Sequence, residues 1–443
     1  MLLVARFGQK HLASIEPRQP THFQPKSTDN KRMAVNLTLP PGTYVGGQPV
    51  FGQAQLHFPE VLEDDIQEVH VKLRGYIFTR ITRRNPQVGE RPAYENIREV
   101  NYQHDTIDLV KENISIWSRA NGPRPDGAQM LQIPFQFVLP PNALPSFDWN
   151  HGVDLQASIS YFVEIVGVRD GMLHRNRRVR AGLAVLPPDP QGAMVNRTLR
   201  LRLPYEWRIA EAHKKIRRGI FGKYARVTAE LHLPNYPSLP LFTPIPFVLR
   251  VLTKTKQEKF DAKDENPAED LFPAPPTHPN QVEFQVRRYV TLRARLASDR
   301  REDHFADLAG MCKNGTGEGV EVHVNPRRWI PAKEDHDSDS AGSNDDRKGK
   351  WLQETIMRGT FVLNFPPGFE TENLTLRYEI NMKVDFPGIG NDLKIEVPLV
   401  VSSGLPHIPD EVAPMPPVWP NQGYPQALNL PKSYWEFEGA EED

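Results

Sequence analysis

Cysteine is almost absent from this sequence, and its absence limits both the chemistry and the compartment. The chain has 443 residues and one cysteine, Cys312, which excludes an internal disulfide and a cysteine-based zinc or iron–sulfur site. A reducing compartment is the simplest environment for such a chain. Long apolar runs are also missing, since stretches such as 397-VPLVV-401 are far shorter than the roughly 18 residues that a membrane helix needs. The sequence therefore predicts no transmembrane helix.

Catalytic sequence patterns are equally scarce. The chain contains no GxSxG, HExxH, GxxxxGK[ST] or GxGxxG motif, the patterns of common hydrolases, zinc proteases and nucleotide-binding proteins. Its 14 histidines show no i, i+4 pairing, and the run Glu63-Asp64-Asp65 is interpreted as a solvated charge run between strands. We therefore expect neither a cofactor nor an enzymatic activity.

Proline, in contrast, is abundant, and it argues against a helical fold. The sequence has 43 prolines in 443 residues, about 10% and roughly twice the usual share, and proline breaks helix interiors. Apolar and polar residues alternate in segments such as 69-VHVKLRGYIFTRI-81 and 153-VDLQASISYFVEIVGV-168, a pattern typical of half-buried strands. The Asp-Gly pair in 169-RDGM-172 predicts a hairpin that returns through residues 173–186. The fold class predicted is all-β.

The distribution of strands, proline and charge predicts two tandem antiparallel β-sandwiches. We expect a helix or irregular connector only at residues 205–219, where isoleucine and alanine recur at helical spacing. Unstructured segments are expected wherever the sequence offers no apolar face to bury. The boundaries are a disordered segment at 1–32, a first sandwich at 33–186, a linker at 187–200, a second sandwich at 201–404 with disordered insertions near 255–281 and 298–350, and a proline-rich acidic tail at 405–443.

Arginine is clustered although the net charge is only −1. Arginine suits phosphate and carboxylate oxygens, so the clusters could bind an acidic or phosphorylated segment or an anionic lipid surface, and the alternative is that they are ordinary solvated faces. Strand geometry places Arg178 and Arg180 on one face and Arg175 and Arg177 on the other. Nucleic acid is not an expected partner, because no basic patch carries aromatic residues for base stacking. The candidate binding residues are Arg74, Arg80, Arg83, Arg84, Arg175, Arg177, Arg178 and Arg180.

Several strand segments resemble one known family. The string 131-LQIPFQFVLPPNALPSFDW-149, followed by 158-SISYFVEIVGV-168, is similar to the arrestin N-terminal domain. Two earlier segments, 47-GQPVFGQAQLHF-58 and 69-VHVKLRGYIFTRI-81, resemble strands of the same domain, and 393-LKIEVPLVVSSG-404 resembles the end of the arrestin C-terminal domain. The resemblance covers residues 34–404, and the long loops and tail resemble the α-arrestin type.

The resemblance implies immunoglobulin-like sandwiches and a non-enzymatic cytoplasmic adaptor, transiently at the plasma membrane or endosomes. Such an adaptor binds cytosolic tails of membrane transporters or receptors for ubiquitin-linked endocytosis or protein trafficking. One alternative is a coat or sorting subunit resembling the arrestin-like component of the retromer. Another is a carbohydrate-active β-sandwich enzyme, because fold alone does not fix function.

Many α-arrestins recruit HECT-type ubiquitin ligases through a PPxY motif, and this sequence has none. WW domains read a polyproline segment at fixed spacing. The nearest approach in the tail is 430-LPKSY-434, whose tyrosine is one residue too far from the proline. Leu430, Pro431 and Tyr434 are therefore a degenerate candidate docking segment.

Overall fold

Strands account for nearly all the regular structure of the first half of the chain. The computed structural model describes residues 33–84, 100–124, 127, 129–171, 174–217, 224–259, 271–331, 348–388, 390–406 and 428–435. The elements of the first half are β1 (Val35–Thr38), β2 (Thr43–Val45), β3 (Pro49–His57), α1 (Phe58–Glu63), β4 (Ile66–Arg84), β5 (Val100–Ser118), β6 (Met130–Val138), β7 (Phe147–His151), β8 (Leu155–Arg169) and β9 (Arg177–Leu186).

These strands form a two-sheet sandwich. One sheet has the order β1-β3-β6, and the other has the order β2-β9-β8-β4-β5 with β7 paired to β8. The alternating residues predicted to face the core, such as Leu73 and Ile159, are fully buried. Gly75 sits in the middle of β4 because a Cβ there would lie 2.6 Å from the ring of Tyr161. The predicted hairpin is confirmed, since β8 and β9 pair antiparallel from Tyr161↔Leu183 to Gly167↔Arg177.

The second half is also built mainly of strands. Its elements are α2 (Pro190–Arg200), β10 (Trp207–Arg217), β11 (Tyr224–Pro234), β12 (Leu239–Pro240), β13 (Ile245–Thr255), β14 (Glu258–Lys259), β15 (Val282–Ala294), β16 (Ala297–Asp307), β17 (Glu321–Val324), β18 (Arg328–Pro331), β19 (Lys348–Phe361), β20 (Phe369–Glu370), β21 (Leu374–Val384), β22 (Leu393–Leu399), β23 (Val401–Ser402) and α3 (Lys432–Trp435), with a 3-10 turn at Pro279–Gln281.

The second half forms another sandwich. One sheet has the order β10-β11-β13-β19-β14, with β17 and β18 also paired to β19, and the other has the order β16-β15-β21-β20 with β22 on β21. Phe247, Phe284 and Phe361 meet in its core, with ring centroids 5.0 to 6.2 Å apart. The chain is therefore an all-β protein of two β-sandwiches, as the sequence predicts.

The expected helix or connector at 205–219 is wrong. Residues Trp207–Arg217 form β10, which pairs with β11 from Trp207↔Pro234 to Arg217↔Tyr224. The strand lies at the edge of its sheet, and most of its residues are exposed or half-buried. An edge strand of this kind has no strict apolar alternation, which is why the sequence pattern misled.

The predicted linker at 187–200 contains a helix, α2. The side chain of Asp189 accepts a hydrogen bond from the backbone N–H of Gly192 at 2.9 Å, and Pro190 occupies the first turn, two features that start helices.

The disorder predicted near 298–350 is also wrong for the described part, since β16, β17 and β18 cross it. Residues 332–347 lie outside the described residues. In the insertion near 255–281, Leu271 is buried and Thr253 donates a hydrogen bond to the carbonyl of Pro273 at 2.8 Å; residues 260–270 lie outside the described part, as does the predicted disordered segment 1–32.

Specific hydrogen bonds join the two sandwiches. The hydroxyl of Thr79 in β4 donates to the carbonyl of Arg293 in β15 at 2.6 Å. The carboxylate of Asp105 in β5 accepts from the backbone N–H of Arg295 at 2.7 Å and from the amide of Asn373 at 3.4 Å. The N-terminal sandwich therefore meets the second one at the C-terminal end of β4.

No helix in the described part of the chain is long and apolar enough to cross a bilayer.

Candidate functional site

The arginines of β9 point alternately to two environments, as strand geometry predicts. Arg177 forms a bidentate ion pair with Asp64, the residue that follows α1. Its Nε lies 2.9 Å from Oδ2 of Asp64, and its Nη2 lies 2.7 Å from Oδ1. This hydrogen bonding to Asp64 raises the pKa of Arg177. Arg169 also reaches this corner and donates to the backbone carbonyl of Asp64 at 2.5 Å. The guanidinium groups of Arg169 and Arg177 therefore both bind Asp64.

An open cavity of about 410 Å³ surrounds this corner. Four arginines and one carboxylate supply its charged groups, and the start of β1 supplies its apolar wall. A cavity with this excess of cations suits an anionic group, because arginine forks bind phosphate and carboxylate oxygens in pairs. The lining residues are Met33, Ala34, Val35, Asp64, Arg169, Arg175, Asn176, Arg177, Arg178 and Val179. We call this set the arginine cavity.

The arginine cavity lies far from the second sandwich. It is at the end of β4 where Ile66 pairs with Arg169, whereas the contact with the second sandwich is made by Thr79 of the same strand. Thirteen residues of extended strand separate these two points, a distance of roughly 40 Å. A ligand in the cavity therefore contacts the N-terminal sandwich alone.

Arg178 and Arg180 contact a different acidic residue, the buried Glu164 on β8. Only 4% of the Glu164 side chain is exposed; its Oε1 lies 2.7 Å from Nε of Arg180 and 3.8 Å from Nη1 of Arg178. Arg180 also lies over the ring of Phe162, 5.4 Å from its centroid. Arg180 is therefore committed to internal contacts on this face, while Arg178 both approaches Glu164 and lines the arginine cavity.

The four remaining candidate arginines belong to β4 and do not join the cavity. Arg74 donates to the carbonyl of Glu112 at 2.8 Å and to Oδ1 of Asn113 at 2.6 Å, and burial lowers its pKa. Arg80 is half-buried and Arg83 is exposed near the end of the strand. Arg84 ends β4, and its side chain lies outside the described residues. The eight candidate arginines are thus divided among separate parts of the N-terminal sandwich.

The segment that carries Leu430, Pro431 and Tyr434 packs into the protein itself. Tyr434 is 3% exposed, and its hydroxyl lies 2.6 Å from the carbonyl of Leu183 and 2.7 Å from Oγ of Ser146. The backbone N–H of Asn429 donates to the carbonyl of Asn364 in the second sandwich at 2.9 Å. In this conformation the two side chains Leu430 and Tyr434 are buried, so a WW domain could not reach them. We call residues 428–435 the returning segment.

Several exposed apolar side chains lie near the contact between the two sandwiches. Val153 is 71% exposed in the turn before β8, and Leu296 is 96% exposed between β15 and β16. The Val153 turn is held to β4, because the N–H of Thr82 donates to the carbonyl of Asp154 at 2.7 Å, and the hairpin of Leu296 is held by Asp105. Tyr102, 59% exposed, lies opposite Thr82. Sequence reasoning missed this set because three separate segments build it.

Sequence reasoning also missed the carboxylates. Asp64 was interpreted as part of a solvated run, yet its residue is buried and it organises the arginine cavity. Glu164 could have been noticed, because it is the one acidic residue in the sequence of β8. The described residues contain no group of three or more His, Cys, Asp and Glu side chains placed to hold a metal ion.

Comparison with known proteins identifies the domain that carries the arginine cavity. The family model of the arrestin (or S-antigen) N-terminal domain matches residues 33–188, a range that spans β1 to β9. No curated protein gives a significant match to the chain. The match agrees with the resemblance of the segments in β3, β4, β6 and β8. Residues 33–188 are thus an arrestin N-terminal domain, and over this part the chain is arrestin-like.

Proposed function

We propose that this protein is a non-enzymatic cytoplasmic adaptor that binds acidic or phosphorylated cytosolic segments of membrane proteins for ubiquitin-linked endocytosis or trafficking. The observation that carries the proposal is the arginine cavity, in which four arginines surround one carboxylate. A phosphate or carboxylate entering it would replace part of the water around the guanidinium groups and gain paired hydrogen bonds. Arrestin-like proteins as a family supply the adaptor role.

The exposed apolar side chains near the contact between the two sandwiches support a second binding site for the same partner. Val153 and Leu296 have large exposed fractions, and apolar side chains on loops commonly serve binding. The roughly 40 Å between junction and cavity suits a membrane protein that offers a folded cytosolic face and a flexible acidic tail. The two sites would then bind different parts of one partner.

Recruitment of a HECT-type ligase through the returning segment is not part of this proposal, because Tyr434 is buried. Ligase recruitment would have to use another segment or require release of this one.

The test is binding of a synthetic acidic peptide carrying phosphoserines to the full chain, measured by fluorescence anisotropy, with the unphosphorylated peptide as reference. Arg175→Glu places a negative charge in the cavity, whereas Lys111→Glu makes the same charge change on the exposed part of β5. We expect Arg175→Glu to weaken phosphopeptide binding about tenfold or more and Lys111→Glu to leave it nearly unchanged.

Equal affinities for the wild type and Arg175→Glu would contradict a binding role for the cavity. Thermal unfolding of both variants checks that the fold is retained, and Arg175→Gln supplies a milder change at the same position. A second experiment captures the protein from native membranes together with its partners. Stoichiometric co-purification with a fixed set of soluble subunits would favour a coat component over an adaptor.

A further inference from the structure

The first strand of the second sandwich, β10, lies at the edge of its sheet with a partner on one side only. Its 11 residues pair with β11 in an unbroken antiparallel register from Trp207↔Pro234 to Arg217↔Tyr224. No other described strand pairs with β10. In an edge strand of this kind, about half of the residues direct their N–H and C=O groups away from the sheet. β10 therefore presents a long row of backbone donors and acceptors that another strand could satisfy.

The inner face of β10 is attached to the rest of the sandwich. Ala210 packs against the hydrophobic core, and Ile216 is fully buried. The ammonium group of Lys214 donates to the carbonyls of Gly390 and Asp392 at 2.5 and 3.1 Å, in the loop between β21 and β22 of the facing sheet. The strand is therefore held in an extended conformation before any partner arrives.

The other edge strands of the described residues carry features that discourage pairing with a second chain. β6 contains Pro134 and β22 contains Pro398, and proline lacks the N–H that a ladder needs. Register irregularities interrupt β5 and β16, and bulges twist an edge away from a partner. The edge strands β1, β2, β7, β14, β17, β18 and β20 have five residues or fewer. Among these described edges, β10 alone is long, regular and free of proline.

The exposed face of β10 divides its charges between the two halves of the strand. The first half carries Trp207, Ile209 and Glu211 on this face, whereas the second half carries Lys215 and Arg217. An antiparallel pair of two β10 strands sets the first half of each strand against the second half of the other. The apolar and acidic half then meets the basic half, so the strand is complementary to a second copy of itself.

One antiparallel register matches these charges residue by residue. With His213 of both copies on a twofold axis, Glu211 of each copy lies opposite Lys215 of the other copy. Opposite charges directly across a ladder stabilise it, and like charges destabilise it. On the inner face of the same pair, Ala210 lies opposite Ile216, so two apolar side chains meet. A parallel pair in register would instead set Lys215 against its own counterpart.

We infer that the protein dimerises through β10, which pairs antiparallel with β10 of a second copy and joins the two sheets into one. Such an isologous contact uses the same surface on both copies. An acidic strand of another protein is a less suitable occupant, because it would meet Glu211 on the exposed face. Strand pairing alone is a small interface, so we expect a dimer with a Kd in the micromolar range. The contact is separate from the arginine cavity, which belongs to the first sandwich.

The test is sedimentation velocity of the full chain over a range of concentrations. The chain has a mass of 50.5 kDa, and the average mass should rise toward twice this value as the concentration increases. Glu211→Lys sets lysine opposite lysine, and Lys215→Glu sets glutamate opposite glutamate. Either change alone should raise the Kd of the dimer at least about tenfold. The two changes together restore opposite charges across the ladder and should restore the dimer.

The single changes do not disturb the pairing of β10 within one copy. Glu211 lies opposite Glu230 of β11, and Lys215 lies opposite Arg226. Each substitution therefore replaces a like-charge pair with an opposite-charge pair inside the protein. Thermal unfolding should show each variant to be at least as stable as the wild type, so loss of the dimer would not reflect loss of the fold.

The matched controls make the same charge changes elsewhere. Glu112→Lys and Lys111→Glu, at exposed positions of β5, should leave the Kd of the dimer nearly unchanged. A cysteine pair tests the register directly. In a Cys312→Ser chain, His213→Cys should form a disulfide-linked dimer under mild oxidation, because opposite residues have Cα atoms about 5 Å apart, within reach of a disulfide. Thr106→Cys, at an exposed position of β5, should not.

A chain that stays monomeric at about 100 µM, well above a micromolar Kd, would overturn the inference. Equal dimerisation of the wild type and the two single variants would also overturn it, as would a folded double variant that does not recover the dimer. Binding of labelled polyglutamate to β10 of a monomeric chain would assign the edge to an acidic strand instead. Phosphopeptide binding is measured in parallel on Glu211→Lys and should be retained, so failure of the dimer and failure of the proposed adaptor function can be distinguished.

Discussion

The hydroxyl of Tyr434 lies 2.7 Å from Oγ of Ser146, although 288 residues of chain separate the two. The same hydroxyl accepts from the backbone N–H of Tyr161 at 3.3 Å and donates to the carbonyl of Leu183 at 2.6 Å. A residue of the C-terminal tail therefore completes the polar interior of the N-terminal sandwich.

Tyr434→Phe removes this hydroxyl and leaves the N–H of Tyr161 and the carbonyl of Leu183 without this partner. We expect the free energy of unfolding to fall by about 1–3 kcal/mol, the cost of unsatisfied buried polar groups. Chemical denaturation measures the change. Tyr102→Phe deletes the same atom from a ring that is 59% exposed and should change stability by less than about 0.5 kcal/mol. Equal effects of the two substitutions would refute the role of Tyr434.

Alkaline pH should weaken the protein through its buried tyrosines. Desolvation raises the pKa of Tyr161 and of Tyr434 in the folded state, whereas an unfolded tyrosine has a pKa near 10. Folding then favours the neutral phenols, so their contribution is complete below about pH 10 and is lost as the pH rises toward the folded pKa values. Unfolding measured between about pH 9 and pH 12 should show this decline, and Tyr434→Phe should make it shallower. An unchanged slope in the variant would contradict this assignment.

Glu164→Ala tests whether the contacts of Arg178 and Arg180 with Glu164 stabilise the fold. The substitution leaves Arg178 and Arg180, whose side chains are 18% and 22% exposed, without their carboxylate. We expect a loss of about 2–4 kcal/mol in the free energy of unfolding. Glu112→Ala, at an exposed position of β5, is the matched control and should cost much less. A small loss in Glu164→Ala would mean that solvent replaces the carboxylate.

Asp64→Asn tests the charge of the arginine cavity. The change removes its one lining carboxylate and frees Arg177 from its ion pair. If the cavity binds anions, acidic phosphopeptides should bind about fivefold more tightly, as expected for removal of one nearby negative charge. Anisotropy measures the affinity, and Asp108→Asn, an exposed change on β5, supplies the control. Weaker binding by a folded Asp64→Asn protein would show that Asp64 positions the arginines instead.

Thr79→Val tests the joint between the sandwiches. Thr79 is 1% exposed, and its hydroxyl bonds the carbonyl of Arg293, so valine keeps the shape and removes the hydrogen bond. We expect a loss of about 1 kcal/mol and faster amide exchange in the hairpin of β15 and β16. Thr106→Val, at an exposed position of β5, is the control. Unchanged exchange in Thr79→Val would mean that the joint relies on other contacts.

Local patterns were enough to predict much of the N-terminal sandwich. Alternation over residues 69–81 and 153–168 marks β4 and β8 because alternate apolar residues of both strands point into the core, although nearly every residue of β8 is buried. The helix α2 was missed although its start carries Asp189 and Pro190, because the proline content of that stretch favoured a linker. The edge strand β10 was assigned to the wrong class because neither of its faces is well buried.

The candidate sites depend on contacts that no local pattern encodes. The division of Arg177 and Arg178 between two faces follows from strand geometry alone, and it was predicted. Their partners were not, because Asp64 lies 113 residues from Arg177. The burial of Tyr434 has the same origin, since its neighbours Ser146 and Tyr161 come from the other end of the chain.

The chain enters and leaves the second sandwich at one place. The hydroxyl of Ser403 donates to the carbonyl of Pro187 at 2.6 Å, and the N–H of Asp189 donates to the carbonyl of Leu405 at 2.7 Å. Because Tyr434 then reaches back into the first sandwich, the second one is topologically an insert within the first domain. Domains whose ends lie together can be removed or exchanged as cassettes. A chain that joins residue 188 directly to residue 405 should therefore fold as a shortened protein that still anchors its own C-terminal tyrosine.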